Sequence, residues 1–308
     1  TKGWEASITW GDSFTLASKP FNYRIMAGIG DNTSKVTKYD NPNRTLTDPY
    51  EGQQLGEIWG YVVDGYFKTD EEARNYKVDQ SFVNQMINAS ALDNGLHAGD
   101  LKFVDLDGNN KIEQTTSAND RKDMKVIGNS LPRYNYNFGI SADWYGIDFS
   151  VLFQGIGKQN WYPGAETSMF WGPYSRPYAS FIPSDFMSQV WSEENTDAYF
   201  PRPRGYVALG SNRELAVVNT KYLQNLAYCR LKNLSIGYTL PDKWLSKIGF
   251  EKIRVYFSGE NLLTFTKLHS DYIDPEQASA SNSWKTSKSD ANIYPWAKTY
   301  SFGVDITF

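Results

Sequence analysis

Apolar and polar residues alternate along several stretches of the chain, with a period of two residues. The clearest stretch runs from Tyr300 to Phe308, where every second residue is apolar and Ser, Gly, Asp or Thr lies between. This period is typical of a β-strand that presents one apolar and one polar face. The same alternation predicts strands beginning near Trp4, Phe21, Tyr134, Ile147, Leu234 and Ile253. The pattern therefore predicts an all-β chain with seven strands that pair antiparallel.

The links between these strands alternate between short and long. Segments 31–132, 155–221 and 266–297 are the long links. The short links are about ten residues between the first two strands, the turn Trp144-Tyr145-Gly146, and Pro241–Glu251. Short periplasmic turns and long extracellular loops are typical of outer-membrane barrels. We therefore predict a segment of an antiparallel transmembrane β-barrel whose three long loops are extracellular.

The chain is rich in aromatic residues, with 10 Trp, 21 Tyr and 17 Phe in 308 residues. Trp4 and Trp10 share a strand face, as do Tyr134 and Trp144, at separations that suit aromatic girdles on either side of an apolar band. The mean hydropathy of −0.55 agrees with such a barrel, because polar loops and alternate strand residues average out the apolar face. Alternation alone does not separate a lipid-facing surface from a protein core. A soluble β-sandwich is therefore the alternative fold.

Strand number, charge and cysteine content narrow the range of functions. Single-chain bacterial barrels use an even number of strands from eight upward, so seven strands require further strands before Thr1 or in another chain. The formal net charge of −4, without basic runs, argues against nucleic-acid binding. One cysteine, Cys229, and two histidines exclude an internal disulfide and a Cys/His zinc site.

The sharpest chemical signal is an acidic segment in the first long loop that resembles half of an EF-hand calcium loop. Its oxygen ligands would be the side chains of Asp105, Asp107, Asn109 and Glu113 and the carbonyl of Lys111. Asn110 replaces the usual glycine, and Thr116 replaces the closing glutamate, so Asp120 or Asp123 would have to complete the shell. A structural Ca²⁺ is one interpretation. A turn that caps itself through Asp and Asn side chains is the other.

Aromatic residues in the second long loop form a candidate substrate-binding surface. Trp161, Trp171 and Tyr174 could stack on sugar rings, because aromatic faces pack well against them. A self-packed loop core is the alternative. The acidic pair Glu193-Glu194 resembles a solvated loop rather than a glycosidase dyad, and we expect no enzymatic activity.

Several ordered sequence blocks carry a resemblance to one family. They are Leu55–Gly65, Gly99–Gly108 with Val126–Pro132, Asp148–Gly155, Arg230–Pro241, Ser258–Thr266 with Asp274–Glu276, and Tyr294–Trp296 with Tyr300–Gly303. In order and spacing they resemble the C-terminal part of the SusC/RagA family of TonB-linked outer-membrane receptors. The resemblance covers nearly the whole chain, so we assign residues 1–308 to the C-terminal part of such a receptor barrel.

The resemblance implies a 22-stranded barrel closed inside by an N-terminal plug, and the plug domain is absent from this chain. Such receptors lie in the outer membrane of Gram-negative bacteria and import oligosaccharides, less often peptides. The expected partners are the remainder of the barrel and the plug, a SusD-like surface lipoprotein, and the TonB complex, reached through the absent N-terminal part. The alternative function is that of a secreted, soluble, calcium-binding β-sandwich that binds glycans.

Overall fold

The computed structural model describes residues 1–84, 95–176, 181–245, 249–278, 288–289 and 294–308. The strands are β1 (Lys2–Leu16), β2 (Lys19–Thr33), β3 (Glu57–Tyr61), β4 (Val63–Tyr66), β5 (Leu101–Phe103), β6 (Met124–Asn129), β7 (Arg133–Trp144), β8 (Ile147–Lys158), β9 (Asn160–Pro163), β10 (Gln224–Asn225), β11 (Tyr228–Thr239), β12 (Lys252–Thr266), β13 (Lys288–Ser289) and β14 (Thr299–Thr307). The α-helices are α1 (Asp70–Asn75), α2 (Ser168–Trp171) and α3 (Asp242–Leu245). Short 3₁₀ turns cover Ser81–Val83, Gly172–Tyr174, Phe186–Gln189 and Tyr206–Leu209. Among the described residues, no helix has the length and apolar character needed to cross a membrane.

Seven long strands form one open sheet in the order β1-β2-β7-β8-β11-β12-β14, and every neighbouring pair is antiparallel. These are the seven strands that the alternation predicts. The turn Tyr145-Gly146 joins β7 to β8 as expected, with both residues at positive φ (49° and 84°). Two-residue turns with positive φ match the twist of the flanking strands.

The first hairpin differs from the sequence prediction. Instead of a link of about ten residues, β1 and β2 pair along their full length and turn at Ala17-Ser18, both at positive φ (49° and 63°). Asp12 and Ser13 still pair with residues of β2, so both strands continue beyond the point where the alternation weakens. Cross-strand pairing therefore lengthens both strands beyond the predicted limits.

The links at the two ends of the sheet differ in length. One end carries the short links 17–18, 145–146 and 240–251, and the opposite end carries 34–132, 159–227 and 267–298. The alternation of short and long links is therefore present, with boundaries a few residues from the predicted ones. All the smaller strands lie in the long links.

One face of the sheet is apolar and exposed. Residues in register share a face, and one row joins Ile8, Ala27, Phe138 and Phe153 across four strands. At the far edge, Phe257 pairs with Phe302 and Val255 with Val304. Ile8 is 65% exposed and Phe302 83% exposed. A β-sandwich would bury this face under a second sheet, whereas the described residues place no second layer on it.

The opposite face is polar. A row of serines crosses five strands in register, through Ser141, Ser150, Ser235, Ser258 and Ser301. A sheet with one apolar exposed face and one polar face is what a segment of a water-filled or plugged barrel wall requires. The sheet is open in this chain, as expected for a segment.

The same polar face carries an ion-pair chain close to the short links. Arg254 on β12 donates two hydrogen bonds to Asp148 on β8, at 2.8 and 2.6 Å, and a weaker one to Asp305 on β14, at 3.3 Å. Gly237 on β11 lies between Arg254 and Asp148, and a Cβ there would lie 2.5 Å from both side chains. The missing side chain of Gly237 therefore lets the ion pair pass over the intervening strand.

The long links 34–132 and 159–227 share one hydrophobic core. Its buried members from the first link include Tyr66, Leu101 and Phe103, and those from the second include Trp171 and Tyr222. The third link adds Leu268 and Ile273 to the same core, so the long links fold as one unit at one end of the sheet, and this unit contains most of the candidate functional residues.

Candidate functional site

The acidic segment of the first loop forms a tight turn around the carboxylate of Asp105. The backbone N–H of Gly108 donates to Asp105 Oδ1 and that of Asn110 to Oδ2, both at 2.7 Å. Asn110 has a φ of 62°, the left-handed conformation usually taken by the glycine that it replaces. The chain curls as an EF-hand loop does, through a turn that its own side chains cap.

The remaining predicted ligands surround Asn109. The Asn109 backbone N–H donates to Asp107 Oδ1 at 3.1 Å, and its side-chain Oδ1 accepts from the Lys111 N–H at 2.8 Å. Its Nδ2 donates to Glu113 Oε2 at 3.0 Å. Lys122 Nζ lies 3.2 Å from Glu113 Oε1, and this hydrogen bond lowers the pKa of the Glu113 carboxyl. Asn109 and Glu113 are therefore already engaged with other groups.

Asp123 is the carboxylate that completes the cluster. It is fully buried, and its two oxygens accept from the backbone N–H groups of Leu106, at 2.8 Å, and Glu113, at 2.7 Å. Burial raises the pKa of Asp123, and the neighbouring charges of Asp107 and Asp105 raise it further. The sequence predicts Asp123 only as one of two possible closing ligands, with Asp120 as the other. Spacing along the chain does not show which of the two side chains faces the cluster.

The geometry of the three carboxylates suits one small cation. One oxygen each from Asp105, Asp107 and Asp123 lies within 4.8 Å of the others. Oxygens that bind one Ca²⁺ at about 2.4 Å lie at most about 4.8 Å apart. The structure thus brings together Asp105 and Asp107 as predicted and adds Asp123, while Glu113 turns toward Lys122.

The aromatic candidates lie inside the loop unit. Trp161 and Trp171 are fully buried and Tyr174 is 1% exposed. The Trp171 ring packs edge-on against Tyr222 with centroids 5.2 Å apart, and Tyr174 Oη donates to the Pro201 carbonyl at 2.7 Å. None of the three presents a ring face to solvent in this arrangement. The loop core, the alternative left open by the sequence, is where these rings are found.

A buried ion-pair network connects two of the sequence blocks. Arg230 on β11 is 2% exposed and donates to both oxygens of Asp274, at 2.7 Å, and to Glu276 at 2.6 Å. Its Nε donates to Thr264 on β12 at 2.9 Å, and Lys232 Nζ adds a bond of 2.7 Å to Glu276. This network attaches the start of the third long link to the sheet. Both blocks belong to the family resemblance, but no feature of the sequence shows that they contact each other.

Known proteins include relatives that align with the whole of this chain. No protein-family model matches the chain. TonB-dependent receptor P3 of Formosa agariphila is 26% identical over 326 aligned residues, which include all of this chain and 28% of the relative. TonB-dependent receptor P39 of the same organism is 25% identical over 335 residues, again over the whole chain and 30% of the relative. Over its whole length the chain is therefore similar in sequence to TonB-dependent receptors.

Solved structures agree with this relationship at the level of the fold. The RagAB peptide importer in its open-open state superposes with a TM-score of 0.62 at 18% identity, covering 99% of this chain and 28% of the solved chain. The closed-closed state of RagAB gives a TM-score of 0.59 at 20% identity, with 99% and 29% coverage. The chain thus spans about three-tenths of the length of the TonB-dependent receptors and of the RagAB chains that it matches. The names of these relatives describe receptors and importers rather than enzymes.

Proposed function

We propose that the chain is the C-terminal barrel portion of a TonB-dependent importer in the outer membrane of a Gram-negative bacterium. The observation that carries this proposal is the seven-stranded sheet with one exposed apolar face, one polar face and all long links at one end. Lipid would cover the apolar face, and the polar face would line the barrel interior. The rest of the barrel and the plug would come from the parts of the receptor that lie outside this chain.

The long links would lie outside the cell, together with the loop unit that they build. A SusD-like lipoprotein would bind on that side, since the relatives by fold are RagAB assemblies. Pull-down of the complete receptor in detergent tests this partner. Recovery of the receptor without any surface lipoprotein would count against it.

The substrate class would be an oligomer too large for porins, with oligosaccharides first and peptides second. The family resemblance favours oligosaccharides, whereas the neighbours by fold are peptide importers. Buried Trp161, Trp171 and Tyr174 offer no exposed stacking platform, so sugar binding would need other residues of the complete receptor.

Uptake measurements test the function. Cells that express the complete receptor would receive fluorescent oligosaccharides in one arm and a fluorescent tryptic peptide digest in the other. We expect uptake of one class to disappear when either the receptor or TonB is deleted. Uptake that survives both deletions would refute the importer.

Solubility also tests the proposal, since the alternative of a secreted β-sandwich would require a second sheet that the described residues do not form. The chain expressed alone should aggregate without detergent if its apolar face normally contacts lipid. A monomer that stays in solution without detergent would contradict the lipid-facing assignment of the apolar face.

We further propose that the acidic turn of the first loop holds a structural Ca²⁺ through Asp105, Asp107 and Asp123, supported by their close carboxylate oxygens. Extracellular modules bind Ca²⁺ with a Kd of about 10⁻⁴–10⁻³ M. Calorimetry on the complete receptor should give a value in that range. Asp107→Asn should weaken binding about tenfold or more by removing a charged ligand, and Asp120→Asn serves as the matched control. Absence of heat at millimolar calcium would rule the site out.

A further inference from the structure

A buried charge cluster lies at the junction of the first two long loops. Asp100 comes from link 34–132, and Arg202, Arg204 and Glu214 come from link 159–227. The side chains of Asp100 and Glu214 are fully buried, and that of Arg204 is 6% exposed. Through these residues the two loops form ion pairs with each other inside their common core.

Asp100 is well satisfied by its neighbours. Arg202 Nε donates to Asp100 Oδ1 at 2.5 Å, Arg204 Nη2 donates to the same oxygen, and the His97 backbone N–H donates to Oδ2 at 2.9 Å. The Arg202 backbone N–H also donates to the carbonyl of Gly99 at 3.0 Å. Gly99 has a φ of 81°, and a Cβ there would meet Trp191 at 2.6 Å, so the two loops touch backbone to side chain. The junction is tightly packed.

Glu214 is the poorly satisfied member of the cluster. Arg204 Nε lies 3.0 Å from Glu214 Oε1, but neither carboxylate oxygen nor this Nε makes a well-aligned hydrogen bond. Burial favours the neutral form of such a carboxylate, because the charged form loses its hydration, and the Leu101 backbone amide and Arg204 only partly oppose this effect. Two carboxylates face two guanidinium groups, so a proton on Glu214 leaves one net positive charge in the cluster, and Arg202, whose side chain is 27% exposed, brings part of that charge to water.

The groups that act on Glu214 come from both loops. They are Tyr66, Asp100 and the Leu101 backbone amide from the first, and Tyr174, Arg202, Arg204 and Tyr222 from the second. The three phenols have pKa values raised by burial and stay neutral near pH 7. Burial raises the pKa of Glu214 to about 7, against the opposing effect of Arg204, and the charge of Asp100 raises it as well.

We propose that Glu214 binds a proton and that this proton strengthens the junction between the two long loops, so that mildly acidic surroundings hold the loops together and neutral or alkaline surroundings loosen them. The ligand of this site is the proton itself. The consequence for a surface receptor is a loop unit whose opening responds to the pH outside the cell.

The direction follows from linkage. A carboxyl of an opened loop has a pKa of about 4.3, below the value of about 7 in the closed loop. The closed form therefore binds the proton more tightly, and its advantage is complete below about pH 4 and disappears as the pH rises through about 7. Between these limits the opening equilibrium rises by up to about tenfold per pH unit, and above about pH 7 it is flat.

Hydrogen exchange on the complete receptor in detergent tests the proposal. Exchange in peptides that cover 99–103 and 202–214 would be measured at pH 5, 6, 7 and 8 and corrected for the intrinsic rate. We expect corrected exchange to rise about three- to tenfold per unit from pH 5 to 7 and then to level off. A flat profile in the wild-type receptor would overturn the proposal without any variant.

Three variants assign the proton. Glu214→Gln, which is permanently neutral, should lose the pH dependence, whereas Glu193→Gln, an exposed acid of the same loop, should keep it. His97→Asn should also keep it, since His97 contacts Asp70 rather than Glu214. An unchanged slope in Glu214→Gln, or a slope abolished by His97→Asn, would contradict the assignment. If Glu214→Gln does not fold, the wild-type profile and His97→Asn still decide between the two residues.

Discussion

At the scale of single residues, two neighbouring ion pairs show how burial changes the contribution of a charged side chain to stability. Arg230 and Asp274 have side chains that are 2% and 5% exposed, so each charge depends on the other for its solvation. Lys232 and Glu276 are 20% and 23% exposed and keep contact with water. The Arg230–Asp274 pair therefore contributes more to the structure than the Lys232–Glu276 pair does.

Replacing Arg230 by Ala should release the start of the third long link. Removal of one partner from a buried pair costs about 3–5 kcal/mol, because the remaining carboxylate is left without compensation. Lys232→Ala should cost less, because this pair keeps contact with water and Glu276 retains its hydrogen bond from Arg230. Protease cleavage within 267–278 of the folded receptor would report the difference, and equal cleavage in both variants would refute the anchoring role.

The last strand offers a matched pair of positions on opposite faces. Val304 belongs to the apolar face, with Tyr300, Phe302 and Ile306, whereas Thr307 shares the polar face with Asp305. Val304→Arg should destabilise the barrel by about 2–4 kcal/mol if that face contacts lipid near the midplane, and Thr307→Arg should cost much less. Unfolding of the complete receptor in lipid bilayers measures both. Similar losses at the two positions would contradict the proposed facing.

At the scale of elements, the sheet is held by side chains that cross more than one strand. Arg254 reaches from β12 over β11 to Asp148 on β8 and also contacts Asp305 on β14. On the same face, a Cβ at Gly303 would collide with the Tyr256 ring at 2.3 Å, so this ring lies directly over its neighbour strand. Glycines in these strands therefore make room for long side chains from adjacent strands.

Gly237→Ala tests this arrangement. The new methyl group would lie 2.5 Å from Arg254 Nη2 and from Asp148 Oδ1, so the ion pair must shift or break. We expect a loss of about 1–3 kcal/mol in the free energy of unfolding, typical of overpacking. Gly205→Ala is the control, because nothing lies within 4 Å of its Cβ position and its φ of −81° suits alanine. A neutral Gly237→Ala would contradict the crossing role of this glycine.

At the scale of the whole molecule, the two ends of the sheet differ in how much folded structure they carry. Among the described residues, nearly all of the buried aromatic core belongs to the long links, and the opposite end of the sheet carries tight turns and the short helix α3. This asymmetry matches the long extracellular loops and short periplasmic turns that are typical of outer-membrane barrels.

Cysteine labelling of intact cells tests the orientation. Tyr206→Cys lies on the loop unit and Tyr145→Cys on a short turn, and both positions are more than half exposed. In a receptor with Cys229 replaced by Ser, an impermeant maleimide should label position 206 and leave position 145 unlabelled. The reverse result would invert the proposed topology.

The sequence by itself determined the strands of the sheet, their faces and the alternation of short and long links. The strands and their faces depend on a period of two residues along a single strand, and this period can be read from neighbouring residues, as from Tyr300 to Phe308. Where the alternation weakened, at Asp12 and Ser13, the prediction ended the strand early, because it had no information about the partner strand. Even the resemblance to the receptor family depended on local blocks rather than on their contacts.

Only the tertiary structure decided which distant groups meet. It paired Arg230 with Asp274, brought Asp123 rather than Glu113 toward Asp105 and Asp107, and turned the loop tryptophans inward. It also merged two long loops into one core around Glu214. Long loops have no period that predicts their partners, and the closing of many contacts at once selects one arrangement from many that the sequence permits locally.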